Sequence, residues 1–199
     1  MQPSRSLKPT VADALIPSGS LPLYARYILL ALAGTLLLTL SAKLKVPFYP
    51  VPMTMQTAVV LLIGIALGAR LGLATILLYL AEGAFGLPVF AGTPERGIGL
   101  AYMAGPTGGF LVGFAVAAWL AGTIVERRDD LAGLSLAAVL GTLAIFACGL
   151  TWLSGLIGAE KAIEFGLMPF VLGAIVKAAL VVALGYAGVR AMRRKFAQS

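Results

Sequence analysis

Apolar positions run along this chain in long blocks with short polar interruptions. The alternation of half-buried strands and the one-sided stripe of soluble helices are both missing. Blocks at about 24–42, 58–67, 71–84, 105–125, 134–157 and 169–191 predict six helices. Crossing a hydrocarbon core of roughly 30 Å takes about 20 helical residues, and four of the blocks approach or exceed that. The second and third are shorter, and Arg70 separates them; the second has room to begin near Thr54. Between the blocks, segments 43–54, 85–104 and 158–168 lie on one side of such a bundle. The first holds Pro47, Pro50 and Pro52, and the second Pro88, Pro94 and several glycines. Segments of this kind serve equally well as linkers or as ordered covers over a site.

Composition strengthens the membrane assignment. Of 199 residues, 60% are hydrophobic and 12% charged, against roughly 45–50% and about 25% in soluble domains. The fold class expected is therefore an all-α integral membrane protein of six transmembrane helices. Residues 23–192 would form the membrane domain, 1–22 a mobile or surface-lying tail and 193–199 a basic C-terminal tail. Residues 1–22 hold four prolines and no apolar core of a cleavable signal. Six spans put both termini on one side, with Arg5, Lys8, Arg26, Arg70, Arg127, Arg128, Arg190, Arg193, Arg194 and Lys195. The other side receives Lys43, Lys45, Arg96 and Lys161. This bias places both termini in the cytoplasm. The net charge of +7 thus speaks of topology, and no nucleic-acid partner is expected. With no histidine and the single Cys148, histidine-based metal sites and an internal disulfide are excluded. No P-loop sequence occurs, so the chain does not hydrolyse ATP through one.

Few polar groups fall within the blocks, and each calls for a reason. Lys177 lies inside the last one, where an unpaired charge costs at least ~2.5 kcal/mol. It either snorkels to the headgroups or meets a partner, and the small residues Gly173 and Ala174 leave room beside it. Glu82 ends the third block as a solvated interfacial acid, a partner of Lys177 or an acceptor for a ligand. Gln56 offers an amide with donors and acceptors at the start of the second. Arg96, in the second outer segment, suits a carboxylate. Thr107 and Gly108 expose backbone N–H groups where a helix begins. Phe90, Tyr102 and other aromatic residues surround these groups, which describes a small, largely apolar pocket rather than a water-filled pore. Gly64, Gly68 and Gly72, and again Gly105, Gly109 and Gly113, form small-residue faces that let helices approach. Ala31 and Thr35 begin a similar stripe on the first helix, fit for packing within the bundle or for docking another membrane protein.

Four stretches, PVPMTMQT (50–57), GAFGLPVFAG (83–92), GPTGGFLVGF (105–114) and MPFVLGAIVK (168–177), resemble the BioY family. These are biotin-specific S components of energy-coupling factor (ECF) transporters. The resemblance covers about 25–190. It implies an S-component bundle in the bacterial cytoplasmic membrane that captures biotin from outside. It also implies partners, a transmembrane coupling subunit and two ATPases of the ABC type, with biotin as cargo and no cofactor. On this reading Glu82 and the Gln56 carbonyl accept from the ureido N–H groups, and a backbone N–H at 105–109 or the Gln56 amide donates to the ureido oxygen. Phe90 and Tyr102 cover the rings, Arg96 or Lys177 meets the carboxylate, and Ala31 and Thr35 form the docking face for the coupling subunit. Ala174 stands where the family usually has aspartate. A transporter of another small solute, or an intramembrane enzyme using Glu82, Glu160 or Glu164 as acid and base, are the other readings.

Overall fold

The computed structural model describes residues 22–46 and 51–197. The expected N-terminal tail, apart from Pro22, and the prolines at 47 and 50 lie outside the described residues. Helix α1 spans Leu23–Lys43, α2 Gln56–Ala84, α3 Gly99–Met103, α4 Gly108–Arg127, α5 Leu131–Ile157, α6 Ala159–Gly166 and α7 Val171–Ala197. Two short strands, β1 Lys45–Val46 and β2 Met53–Thr54, pair antiparallel between α1 and α2. Five of the helices are long and apolar enough to cross a membrane, the last counted together with α6.

One of the five is a hairpin. Gly68, inside α2, has φ 79° and ψ 176°, a conformation essentially reserved for glycine. There the chain turns back on itself. The Gln56 side chain bonds to Tyr79, 23 residues later, a separation of about 34 Å along a straight helix. A Cβ on Gly72 would lie 3.0 Å from the Gly64 Cα, so the two arms, 56–67 and 69–84, press backbone to backbone. The six apolar blocks are thereby recovered. The three glycines at 64, 68 and 72 are not one helix face, as their spacing implied: the middle one makes the turn and the outer two meet across it.

Small residues set the helix contacts, as expected where lipid is as apolar as leucine and close packing must drive association. Gly109, Gly113, Ala117 and Ala121 recur every fourth residue on α4, all buried. A Cβ on Gly113 would lie 2.8 Å from the Ile145 Cα of α5. On α1 the inward face includes Leu30, Gly34, Thr35 and Leu38, and the leucines at 29, 32, 36, 37 and 40 face outward. Thr35 is 4% exposed and its hydroxyl donates to the Leu32 carbonyl. The structure thus packs Thr35 within the bundle, with Ala31 half-buried beside it. A docking face at Thr35 would require α1 to move.

The bundle has two distinct ends. At one, Glu126 of α4 accepts from the Ala69 N–H at 2.8 Å and so caps the second arm of α2, where a carboxylate is favoured. Arg193 pairs with Asp129 at 2.8 Å. Helix α7 continues through Ala197, so the basic residues 193–195 are helical. Asp130 caps α5, accepting from the Gly133 N–H at 2.8 Å and from Arg128 at 2.9 Å. The Gly133 hydrogen bond first, then Arg128, holds the Asp130 carboxyl below its ordinary value of 3.8. A group lowered on folding stabilises above its unfolded pKa and loses that contribution as pH falls through the folded value. Thermal melts in detergent are therefore expected to show Asp130→Ala below wild type at neutral pH, with the gap closing only in acid, below pH 3.8.

At the other end lie the paired strands β1 and β2, the 85–98 turns, α3 and α6. Lys43 ties two of these together, its Nζ donating to the Phe90 carbonyl at 2.9 Å and more loosely to Thr93. Lys45 and Glu95 approach to 3.8 Å. Helix α6, read from sequence only as a connecting segment, has one buried side with Ala162 and a charged side with Glu160, Lys161 and Glu164.

Candidate binding site

A narrow cavity of about 70 Å³ opens beneath this second end. Its cover is the segment before α2, where Val51, Pro52 and Thr54 reach the cavity. The walls are Gln56, Thr57 and Leu61 on the first arm of α2, Tyr102 on α3 and Phe110, Leu111 and Phe114 on α4. Thr142, Ile145 and Phe146 on α5, Phe170, and Ala174 and Lys177 on α7 complete them. Helices α4 and α5 converge here because the glycine face of α4 brings their backbones close, and bulky side chains border the space at the outer end. Phe110 and Phe146 meet edge to face at 6.4 Å.

Polar groups are sparse and held. Lys177 reaches from six residues inside α7 to donate to the Thr54 carbonyl at 3.0 Å, which fastens the cover to the last helix. Its ammonium retains two further N–H donors. It is the one charged side chain among the described residues lining the cavity. Gln56 donates from Nε2 to the Tyr79 hydroxyl at 2.6 Å, and Tyr79 in turn donates to the Val89 carbonyl at 3.0 Å. This chain fixes the amide plane and joins the first arm of α2 to the loop after the second. Tyr79→Phe would strand Gln56 Nε2 and the buried Val89 carbonyl, at about 1–3 kcal/mol. A lower melting temperature is the expected result; an unchanged one would remove Tyr79 from the scaffold of the site.

The structure divides the residues singled out from sequence. Gln56, Tyr102, Thr107 and Lys177 share the cavity. Phe90 stands behind it, fully buried and stacked on Tyr102 with ring centroids 5.0 Å apart, and Gly108 begins α4 next to Thr107. Glu82 is half-buried near the end of α2 and does not line the cavity. Three residues earlier on the same arm, Tyr79 is the group that reaches Gln56. Arg96 is exposed on the 85–98 turns and is not among the lining residues, but its stem lies against Gly92 close to the ring of Tyr102, which is. Among the described lining residues there is thus one cation and no carboxylate, and Ala174 faces the cavity beside Lys177. Sequence reasoning missed Thr54, Thr57, Thr142, Phe114 and Phe146. Of these Thr142 had the clearest signal, as a hydroxyl in the middle of a span.

Comparison with known proteins adds to this geometry. The family model described as the BioY family matches residues 11–194. The probable biotin transporter BioY of Pyrococcus horikoshii is 39% identical over 146 residues, covering 73% of this chain and 85% of that one. The biotin transporter BioY of Thermotoga maritima is 36% identical over 150 residues, covering 75% and 86%. That of Rhizobium etli is 38% identical over 160 residues, covering 75% and 84%. The crystal structure of the S-component for biotin from an ECF-type ABC transporter superposes with a TM-score of 0.72 at 22% identity, over 82% of this chain and 90% of that one. The two share a fold.

Proposed function

The chain belongs to the BioY family, and from that premise we propose that it takes up biotin as the substrate-binding membrane subunit of an ECF-type transporter. It is a multi-pass membrane protein whose family transports rather than catalyses. The basic end, with Arg70, Arg127, Arg128 and Arg190, faces the cytoplasm by the positive-inside rule, in the bacterial inner membrane. The covered cavity then faces outward. Energy comes from other chains, a membrane coupling subunit and ABC-type ATPases.

The observation that carries the reading is the cavity's charge. A largely apolar, aromatic-walled pocket whose described lining residues include one ammonium and no carboxylate suits a monoanion with an apolar body. Biotin is one: a carboxylate on an alkyl stem, joined to a fused thioether and ureido ring. Lys177 meets the carboxylate, and Gln56 presents the rest of its oriented amide to the same rim. Tyr102, Phe110 and Phe146 bound the stem and rings. Burying such a ligand removes apolar surface from water at roughly 25 cal/mol per Å². Calorimetry of the purified chain in detergent tests this directly. One-to-one biotin binding without ATPase, and none for lipoate, is expected. A folded chain that ignores biotin would refute the proposal.

A further inference from the structure

Beyond the second arm of α2 the chain leaves large apolar side chains uncovered. Phe85, just past the helix, is 91% exposed, Leu100 on α3 69%, and Leu87 and Ile98 52% each. They are separated in sequence and joined in space. A Cβ on Gly99 would approach the Ala84 carbonyl oxygen to 3.2 Å and the Gly86 backbone to 4.0 Å. The residues flanking this crossing, 85 and 87 on one segment and 98 and 100 on the other, therefore form one apolar knuckle. Contiguous exposed apolar surface of this kind marks an interaction site.

The other sides of these turns are accounted for. The Phe90 ring stacks on Tyr102, the Phe90 carbonyl accepts from Lys43 and the Val89 carbonyl from Tyr79. Charge is gathered apart from the knuckle, where Glu95 approaches Lys45. Two observations then name what covers the apolar side. The first is continuity. The exposed face of the second arm runs through Ala74, Leu77 and Leu78 to Phe85, at helical spacings that keep one side of the helix, and the knuckle prolongs this lipid-facing surface. The second is length. Residues 69–84 give about 24 Å of helix, less than the roughly 30 Å of hydrocarbon. With the Gly68 turn at one membrane surface, Phe85 does not stand clear of the opposite leaflet. Glu82, half-buried one turn earlier, limits the depth, because a carboxylate is costly among acyl chains. The knuckle belongs at the boundary between chains and headgroups, where a bilayer thins to meet a short span.

We propose that Phe85, Leu87, Ile98 and Leu100 seat in that boundary layer, so that lipid is the partner of this surface. The chain is then attached to the bilayer through a segment that does not span it. The same turns that support the cavity wall through Phe90 and Tyr102 are backed from outside by lipid. This holds whatever solute the cavity takes.

Spin labelling of the full chain in vesicles of phosphatidylethanolamine and phosphatidylglycerol tests it. Cys148 is the single cysteine, so Cys148→Ala provides a background for Phe85→Cys, Leu87→Cys and Leu100→Cys. Leu78→Cys supplies the lipid reference and Glu95→Cys the water reference. Dioxygen concentrates in lipid and a neutral nickel chelate in water. Labels at 85, 87 and 100 are expected to show a collision ratio of dioxygen to chelate several times that at 95, approaching that at 78. A ratio equal to that at 95 would place the knuckle in water and overturn the proposal. Labels shielded from both reagents would place a second copy or another protein over it and overturn the proposal equally. Three positions carry the same expectation, so a single variant that fails to reconstitute leaves the test intact.

Discussion

Lys177→Met is expected to lower biotin affinity by roughly thirtyfold to several thousandfold, the loss associated with removing one partner of a desolvated, hydrogen-bonded charge pair, about 2–5 kcal/mol. In α7, a lysine well inside the span has no carboxylate beside it among the described lining residues and donates instead to the Thr54 carbonyl. A charge there is tolerated because the backbone carbonyl and the cavity receive it. A ligand carboxylate is the partner the lining lacks. Methionine preserves the length and flexibility of the stem, so the change isolates the ammonium. Biotin methyl ester supplies the control: wild type should bind it far more weakly than biotin, and Lys177→Met should bind the two alike. If biotin and its ester still differ in Lys177→Met as they do in wild type, the carboxylate is held elsewhere and Arg96 returns as the candidate.

Gly68→Ala is expected to cost several kcal/mol and leave little monodisperse protein in mild detergent. The residue occupies a backbone region that side chains rarely enter, a cost of order 1–3 kcal/mol. It is also hemmed in: a Cβ on Gly122 of α4 would collide with the Gly68–Ala69 backbone, so the turn cannot relax outward. A reshaped turn would further withdraw the Ala69 N–H from Glu126, worth about 0.5–2 kcal/mol as a helix cap. Arg70→Ala, two residues on and exposed, should elute and melt close to wild type. Size-exclusion profiles and melting temperatures of the two variants decide the point. Equal behaviour would mean that the hairpin does not depend on its glycine.

The spans were legible because hydrophobic blocks and charge asymmetry are properties of the solvent the chain must meet. The break between the second and third blocks showed through Arg70, yet the residue that makes it is Gly68. A glycine reads alike whether it permits close packing or a forbidden dihedral, and the spacing of Gly64, Gly68 and Gly72 favoured the wrong one. Short α6 escaped notice because its eight residues include three charges, and hydropathy sees only their polarity. Within the site, Lys177 and Gln56 stood out as polar residues in apolar runs. Glu82 stood out for the same reason but turned elsewhere, because rotation about a helix axis is not visible in a lone acidic residue. Thr142 showed as a hydroxyl in the middle of a span, but that it lines the cavity is a fact of the folded state.

The first arm of α2 has a consequence for the bilayer itself. Its 12 residues, 56–67, give about 18 Å of helix, against roughly 30 Å of hydrocarbon. With the Gly68 turn at one membrane surface, the arm ends about 12 Å short of the opposite headgroups. The cover segment before it must descend into that gap, as irregular backbone at membrane depth that is admissible only when it is shielded by protein or borders a cavity. A bound solute would thus rest in a pit well below the headgroup plane, with only part of the insulating layer still ahead of it.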